Sequence, residues 1–175
     1  MENWQSGNWF YQTNVGQTLW DYDPTFATSG LLSMWGWDIG ARSDSSVAKQ
    51  YTVRLPSGKT TYLHFKHAYG FEDDNAGVYY DGGVLEYTTD LGATWSDLGS
   101  KFTHNGYKGT MSSSYSNPLG GRRGFVGESN GYISSRADLS FLAGKDVSFR
   151  FRIGTDSSVG DDGWFVDDVR VYTCA

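Results

Sequence analysis

From Val147 to Ile153 the chain alternates without a break, with Val147, Phe149, Phe151 and Ile153 on one side and Ser148, Arg150 and Arg152 on the other. A period of two with large apolar residues on one side is the pattern of a half-buried β-strand and excludes a helix over that span. The pattern recurs at Tyr62–Tyr69, where Leu63, Phe65, His67 and Tyr69 share a side, and at Lys49–Leu55, with Tyr51, Val53 and Leu55 together. Val84–Thr89 reads as a further strand, closed by a turn at Asp90-Leu91-Gly92 before Trp95, and Trp164–Tyr172 as the last. No stretch combines helical periodicity with adequate length. Composition agrees: 23 Gly, 3 Pro and 17% aromatic residues suit many strands joined by tight turns, with rings filling the space between two sheets. A chain of 175 residues is long enough for one domain, 1–175, with a sizeable core. The expected fold class is therefore all-β, a sandwich of two antiparallel sheets.

A net charge of −6 argues against a nucleic-acid partner, which selects a basic surface. No apolar run approaches the ~20 residues needed to span a bilayer, so no membrane insertion is expected. Met1 is followed directly by Glu2-Asn3-Trp4 rather than by a leader, and the expectation is a piece excised from a larger protein. Cys174 is the single cysteine, so no internal disulfide is possible. It is either an inert terminal thiol or half of a bridge to a neighbouring module.

The last strand carries two adjacent carboxylates, Asp167 and Asp168, in an otherwise apolar run. Ionised Asp is a poor strand former and costly to bury, so the pair calls for a partner. Phe165, Val169 and Val171 would share a face with Asp167, so either a bulge resets the register there or Asp167 is buried against a charge. The windows 70–82 and 154–168 together hold nine of the twenty acidic residues and no Lys or Arg. That density suits a hard cation, with calcium as first candidate and backbone carbonyls of the Gly-rich turns completing its shell. The expected ligands are Glu72, Asp81, Asp161, Asp162, Asp167 and Asp168, around a structural rather than a reactive ion.

Counting strand directions in alternation over 62–70, 83–89, 98–103, 132–138, 147–153 and 164–172 brings the loops 70–82, 104–131 and 154–163 out at one end, together with the Arg122-Arg123 pair. Tyr79, Tyr80, Tyr107 and Arg123 are the candidate ligand-binding residues at that end, the Tyr for stacking and the Arg for bidentate hydrogen bonding to a carboxylate or vicinal hydroxyls. Trp35, Trp37 and Tyr115 also fall in or near loops. The same side chains could instead cover the core, and the arginines could merely offset the acidic loops. Enzymatic signatures are missing: there is no phosphate loop, no HExxH and no Gly-x-Ser-x-Gly elbow. His64 and His67 point to opposite faces of their strand, so His67 reads as a hydrogen-bonded core histidine, with orientation of a nearby carboxylate as its other possible role.

Three motifs carry a family resemblance. Tyr80-Asp81-Gly82-Gly83-Val84-Leu85-Glu86-Tyr87-Thr88-Thr89-Asp90, continued by Gly92 and Thr94-Trp95, resembles the "YDGGVLEYSTDGGxTW" strand pair of MAM-like jelly-roll domains. Asp138-Leu139-Ser140-Phe141-Leu142-Ala143-Gly144-Lys145 resembles the "DLSxLAGK" turn of the same group, and Asp162-Gly163-Trp164-Phe165-Val166-Asp167-Asp168-Val169 its "DGWYIDDV" ending. Such domains are appended to secreted bacterial peptidases, including immune-inhibitor-type metallopeptidases. Related versions occur in reelin repeats and in carbohydrate-binding modules of the galactose-binding-like type. The resemblance covers about residues 60–173, with Glu2-Asn3-Trp4 loosely similar to a "FENG" start, while 10–48 and 104–131 depart from it. It implies a single jelly roll, not an enzyme, secreted, acting as a calcium-stabilised accessory or recognition domain. The implied partners are an adjacent catalytic domain, most naturally a peptidase, and an extracellular protein or glycan. The alternative is a carbohydrate-binding module of a glycan-active enzyme.

Overall fold

The Val147–Ile153 stripe forms the centre of a long strand, and sheets build outward on both sides of it. In the computed structural model, which describes residues 8–174, one sheet is ordered β1 (Trp9–Val15), β4 (Ser43–Lys49), β13 (Asp146–Thr155), β7 (Gly82–Thr88) and β8 (Ser96–Asp97). A short β5 (Val53–Arg54) pairs with the start of β13. The other sheet is ordered β2 (Trp20–Asp23), β3 (Ser33–Gly36), β14 (Gly163–Thr173), β6 (Thr61–Gly70), β12 (Ile133–Asp138) and β9 (Phe102–His104). A separate ribbon, β10 (Gly109–Thr110) with β11 (Arg123–Gly124), belongs to the long 105–132 connection. All pairings between these strands are antiparallel, and the two sheets stack as a jelly-roll sandwich. The Glu2-Asn3-Trp4 segment lies outside the described residues.

Inward residues of both sheets meet in one core. Phe65, Phe125, Phe151 and Trp164 are fully buried, and their rings lie 5.2–6.2 Å apart in edge-on or tilted pairs. Burying such side chains contributes roughly 1.5–3 kcal/mol each. His67 is buried among them. The Trp164 indole N–H donates to its Nδ1 at 3.0 Å, which leaves the proton on Nε2 to meet Ser135 Oγ at 2.7 Å. Ser135 Oγ in turn donates to the Asn105 carbonyl at 2.6 Å. Burial, and secondarily the Lys108 charge, push the imidazole down to about 3, so it is neutral. Gly83 permits this packing, because a Cβ there would run into the Trp164 ring.

Two elements differ from the sequence expectation. Residues 49–55 are not one strand: β4 lies upstream over the polar run Ser43–Lys49, and Tyr51 is exposed. β4 sits between β1 and β13, and six of its seven residues are buried even though most are polar. Its Asp44 is held by Arg152 through two bonds of 2.7 Å. Residues 98–103 are not a strand either. The chain leaves one sheet at β8, makes a 3-10 turn over Gly99–Lys101, and joins the other sheet as β9.

Candidate functional site

Because β6 pairs with β14 through Gly70 and Gly163, β13 with β7 through Gly154 and Gly82, β3 with β14 through Gly36 and Trp164, β2 with β3 through Trp20 and Gly36, and β1 with β4 through Val15 and Asp44, four sheet-to-sheet crossovers emerge at one end. They are residues 16–19, 37–42, 71–81 and 156–162. The 105–132 connection reaches the same end through bridges Gly70–Glu128, Tyr79–Met111 and Gly83–Phe125. The strand count therefore places its three loops together as the structure has them, and the structure adds 16–19 and 37–42.

Four carboxylates converge there. One oxygen each of Glu72, Asp81 and Asp156 lie within 4.8 Å of one another. Asp38 joins them from the 37–42 crossover, its Oδ2 accepting the Glu72 backbone N–H at 3.0 Å. Asp81 Oδ1 accepts the Asp156 N–H at 2.7 Å and the Asn117 side-chain amide at 3.1 Å. Asp38, Asp81 and Asp156 are buried and Glu72 is half-buried. Yet Asp38 Oδ1, Glu72 Oε2 and Asp81 Oδ2 are buried with no hydrogen-bond partner. Among the described residues every Lys or Arg ion pair is made with some other acid. Burial, and then the neighbouring Asp38 charge, hold the Asp81 carboxyl well above the usual range. Burial raises Asp38 and Glu72 in the same direction, with Asp156 and Asp161 adding repulsion. Orphaned, mutually repelling oxygens are relieved either by protons or by a cation, and an all-oxygen anionic donor set fits a hard divalent ion.

The expected ligand set is thus divided. Glu72 and Asp81 are in the cluster. Asp161 and Asp162 are exposed on its rim, where Asp161 accepts the Asp162 N–H at 2.8 Å. Asp167 and Asp168 are not with the others, which corrects the expectation. Register between β14 and β6 shifts between Asp167 and Arg170, and Asp168 adopts φ 50°, so the pair forms a β-bulge further along the strand. The extra residue explains why Trp164 and Val166 face inward before it and Val169 and Val171 after it. Asp167 is fully buried against neutral donors rather than a charge. Its Oδ2 accepts the Thr28 N–H and hydroxyl at 2.8 Å and the Ser29 N–H at 3.1 Å, and Oδ1 accepts the Asp168 N–H at 2.7 Å. Asp168 pairs with Lys66 at 2.9 Å and takes the Ser29 hydroxyl at 2.8 Å. Sequence reasoning missed Asp38, Asn117 and the role of Asp156. Asp156 already stood in the acid-rich window, while Asp38 was signalled only by an Asp between Gly36 and Gly40.

The four candidate ligand-binding residues also separate. Tyr79 is half-buried against Val84, Met111, Leu119 and Val126, covering a small second core under the long connection. Tyr80 meets Tyr115 edge-on at 4.7 Å among the loops. Tyr107 is not a free stacking platform, since its hydroxyl donates to the Leu85 carbonyl at 3.1 Å and accepts the Leu85 N–H at 2.8 Å. Arg123 is exposed and donates to the Tyr107 carbonyl at 3.2 Å. Arg122 does not offset the acidic loops; it pairs with Glu86 at 2.7 Å and Asp97 at 2.6 Å. The more continuous aromatic surface lies elsewhere, on the outer face of the β3–β14 sheet. There Trp37, Trp35, Phe165, Phe26 and Tyr132 follow one another with ring centroids 5.0–5.2 Å apart. Trp37 and Phe26 keep 43% and 44% of their surface exposed, so the row is open at those two rings.

No family model and no curated protein matches the sequence. Solved structures do match in shape. One is TmCBM61 in complex with β-1,4-galactotriose, at a TM-score of 0.53 and 11% identity, covering 96% of this chain and 90% of that one. Another is the K1 cleaved adhesin domain of Lys-gingipain from Porphyromonas gingivalis W83, at 0.53 and 14%, covering 97% and 92%. A third is the glycoside hydrolase domain of Endo-D from Streptococcus pneumoniae R6, at 0.54 and 18%, where this chain covers 21% of that longer chain. What these share is a fold. The β-sandwich found in a carbohydrate-binding module and an adhesin domain is the one this chain adopts. No helix among the described residues is long and apolar enough to cross a membrane.

Proposed function

We propose that this chain is a non-catalytic glycan-binding module of a secreted bacterial multidomain protein, with its loop end held by calcium. The observation that carries the reading is the aromatic row Trp37–Trp35–Phe165–Phe26–Tyr132. Its exposed rings offer apolar faces to the C–H faces of sugar rings, with hydroxyl recognition left to polar groups alongside. The likeness in shape to a module bound to β-1,4-galactotriose supports the same direction. Asp38, Glu72, Asp81 and Asp156 would hold the ion, and backbone carbonyls of the crossovers would complete six to eight oxygens. Its part is to neutralise charge and pin the crossovers. The role of accessory domain beside a catalytic domain, most naturally a peptidase, is favoured by the three motifs and by the likeness to the adhesin domain of Lys-gingipain. A glycan array followed by calorimetry on soluble oligosaccharides, β-1,4-galactotriose among them, tests the reading. Trp37→Ala and Phe26→Ala should each weaken binding about tenfold or more, the ~1.4 kcal/mol expected of a lost stacking contact. A flat array, or affinities indifferent to both changes, would remove the glycan reading and leave the peptidase accessory role.

A further inference from the structure

An open cleft of about 740 Å³ lies away from the aromatic row, at the side of the sandwich where the edge strands β8 and β9 of the two sheets come together, with Phe102 and Tyr107 among its lining residues. Polar groups line it too, among them Arg122, Arg123, Asp97 and Ser100. Asp97 is already neutralised: Oδ1 accepts the Gly99 N–H and Oδ2 the Arg122 guanidinium, each at 2.6 Å. Arg122 is saturated in turn by Glu86 and Asp97. Arg123 is different. It is exposed at the cleft and makes one hydrogen bond among the described residues, from Nη2 to the Tyr107 carbonyl, so most of its five N–H donors remain available. With Asp97 offset by Arg122, Arg123 is the unpaired charge among the described side chains that line the cleft, which favours an anion.

We infer that this cleft binds the carboxylate of an acidic sugar, a uronic acid within a glycan, with Arg123 as the bidentate clamp. The guanidinium fork matches a carboxylate in shape and charge, and the Ser100 hydroxyl in the same lining suits sugar hydroxyls. An acidic peptide offers the same carboxylate, but it would dock by adding a strand to β9. That edge is only three residues long, preceded by a 3-10 turn and followed by Asn105 at φ 42°, which is too short and too bent a template. The inference rests on the glycan-binding reading yet uses a different surface, so each can fail without the other.

The test titrates the intact chain with trigalacturonate, a glucuronate-containing tetrasaccharide, neutral galactotriose and tetraglutamate, by calorimetry and amide chemical-shift mapping. At least one uronate oligosaccharide should bind, shift residues 99–107 and 122–123, and weaken severalfold between low salt and 0.5 M NaCl. Arg123→Ala should lower that affinity at least tenfold with an unchanged melting temperature. Arg123→Lys, which keeps the charge but loses the fork, should recover only part of it. Uronate affinity equal in all three proteins, shifts confined to other surfaces, or binding of tetraglutamate alone would overturn the inference. Binding of neutral galactotriose without either uronate would overturn it while leaving the glycan reading intact, and no binding of any saccharide would overturn both.

Discussion

Asp167 and Asp168 are neighbours in sequence with opposite physical situations. Asp167 is a fully buried charge whose accepted bonds come from the 24–32 segment and its own strand, so removing it strands the Thr28 and Ser29 N–H donors. Asp167→Ala is expected to destabilise by about 2–4 kcal/mol, as loss of a buried, hydrogen-bonded charge does. Asp168 is more exposed and its Lys66 pair is partly solvated, so Asp168→Ala should cost no more than about 1 kcal/mol. Urea unfolding of both variants decides this, and equal costs would contradict the bulge geometry. His67 makes a prediction about pH. Its folded value lies near 3 against an ordinary value near 6.5, so the unfolded chain binds the proton more readily. The stability it contributes is complete above about pH 6.5 and is lost as pH falls from there toward 3, on the order of 5 kcal/mol in all. His67→Gln should start less stable at neutral pH and show a shallower decline over that window in denaturant titrations. A parallel decline in both proteins would place the acid sensitivity elsewhere.

Among elements, the strands legible in the sequence are those with apolar residues along one face, although β13 buries Ser148 and Arg150 on its other face too. Val147–Ile153 and Leu63–Tyr69 announce themselves by period two, and both are central strands with the predicted faces inward. The register slip at Asp167-Asp168 was legible as well, and the bulge is its physical form. β4 was not legible, because Ser43–Lys49 is mostly polar. Its hydroxyls and Asp44 are satisfied only by partners far along the chain, such as Arg152 and the Leu19 N–H that bonds Ser45 Oγ at 3.0 Å. No local pattern encodes partners that distant. The candidate cation site was half legible for the same reason. Acid density pointed to Glu72 and Asp81, whereas Asp38 arrives through the pairing of β3 with β14, which is a tertiary fact. Tyr107 shows the reverse error: a loop aromatic whose ring and hydroxyl are both taken up by β7 and the core.

For the whole molecule, the four carboxylates come from three of the four crossovers that pass between the sheets at the loop end. One ion there would join 37–42, 71–81 and 156–162, and so resist separation of the sheets. Since such an ion binds only the folded chain, calcium at a hundredfold excess over its dissociation constant should add about 2.7 kcal/mol. For a domain of this size that corresponds to roughly 5–10 °C in melting temperature, and chelator should remove it. Calorimetric scans with calcium and with EGTA, alongside elemental analysis, check the expectation. Identical scans from protein shown to be metal-free at the start would refute it.

Register also fixes how the molecule is tethered. Trp9 pairs with Lys49 and Thr173 with Thr61, so both ends of the described chain depart from the pole opposite Gly70 and Gly163. The carboxylate pole is thus the one remote from both ends of the described chain. Trp35 and Phe165 sit close to that remote pole, two residues or fewer from the ends of β3 and β14. Were the module tethered at the opposite pole, the aromatic row would lie on its far side, like a hook on a line, and tether length would set how wide a surface the hook can search.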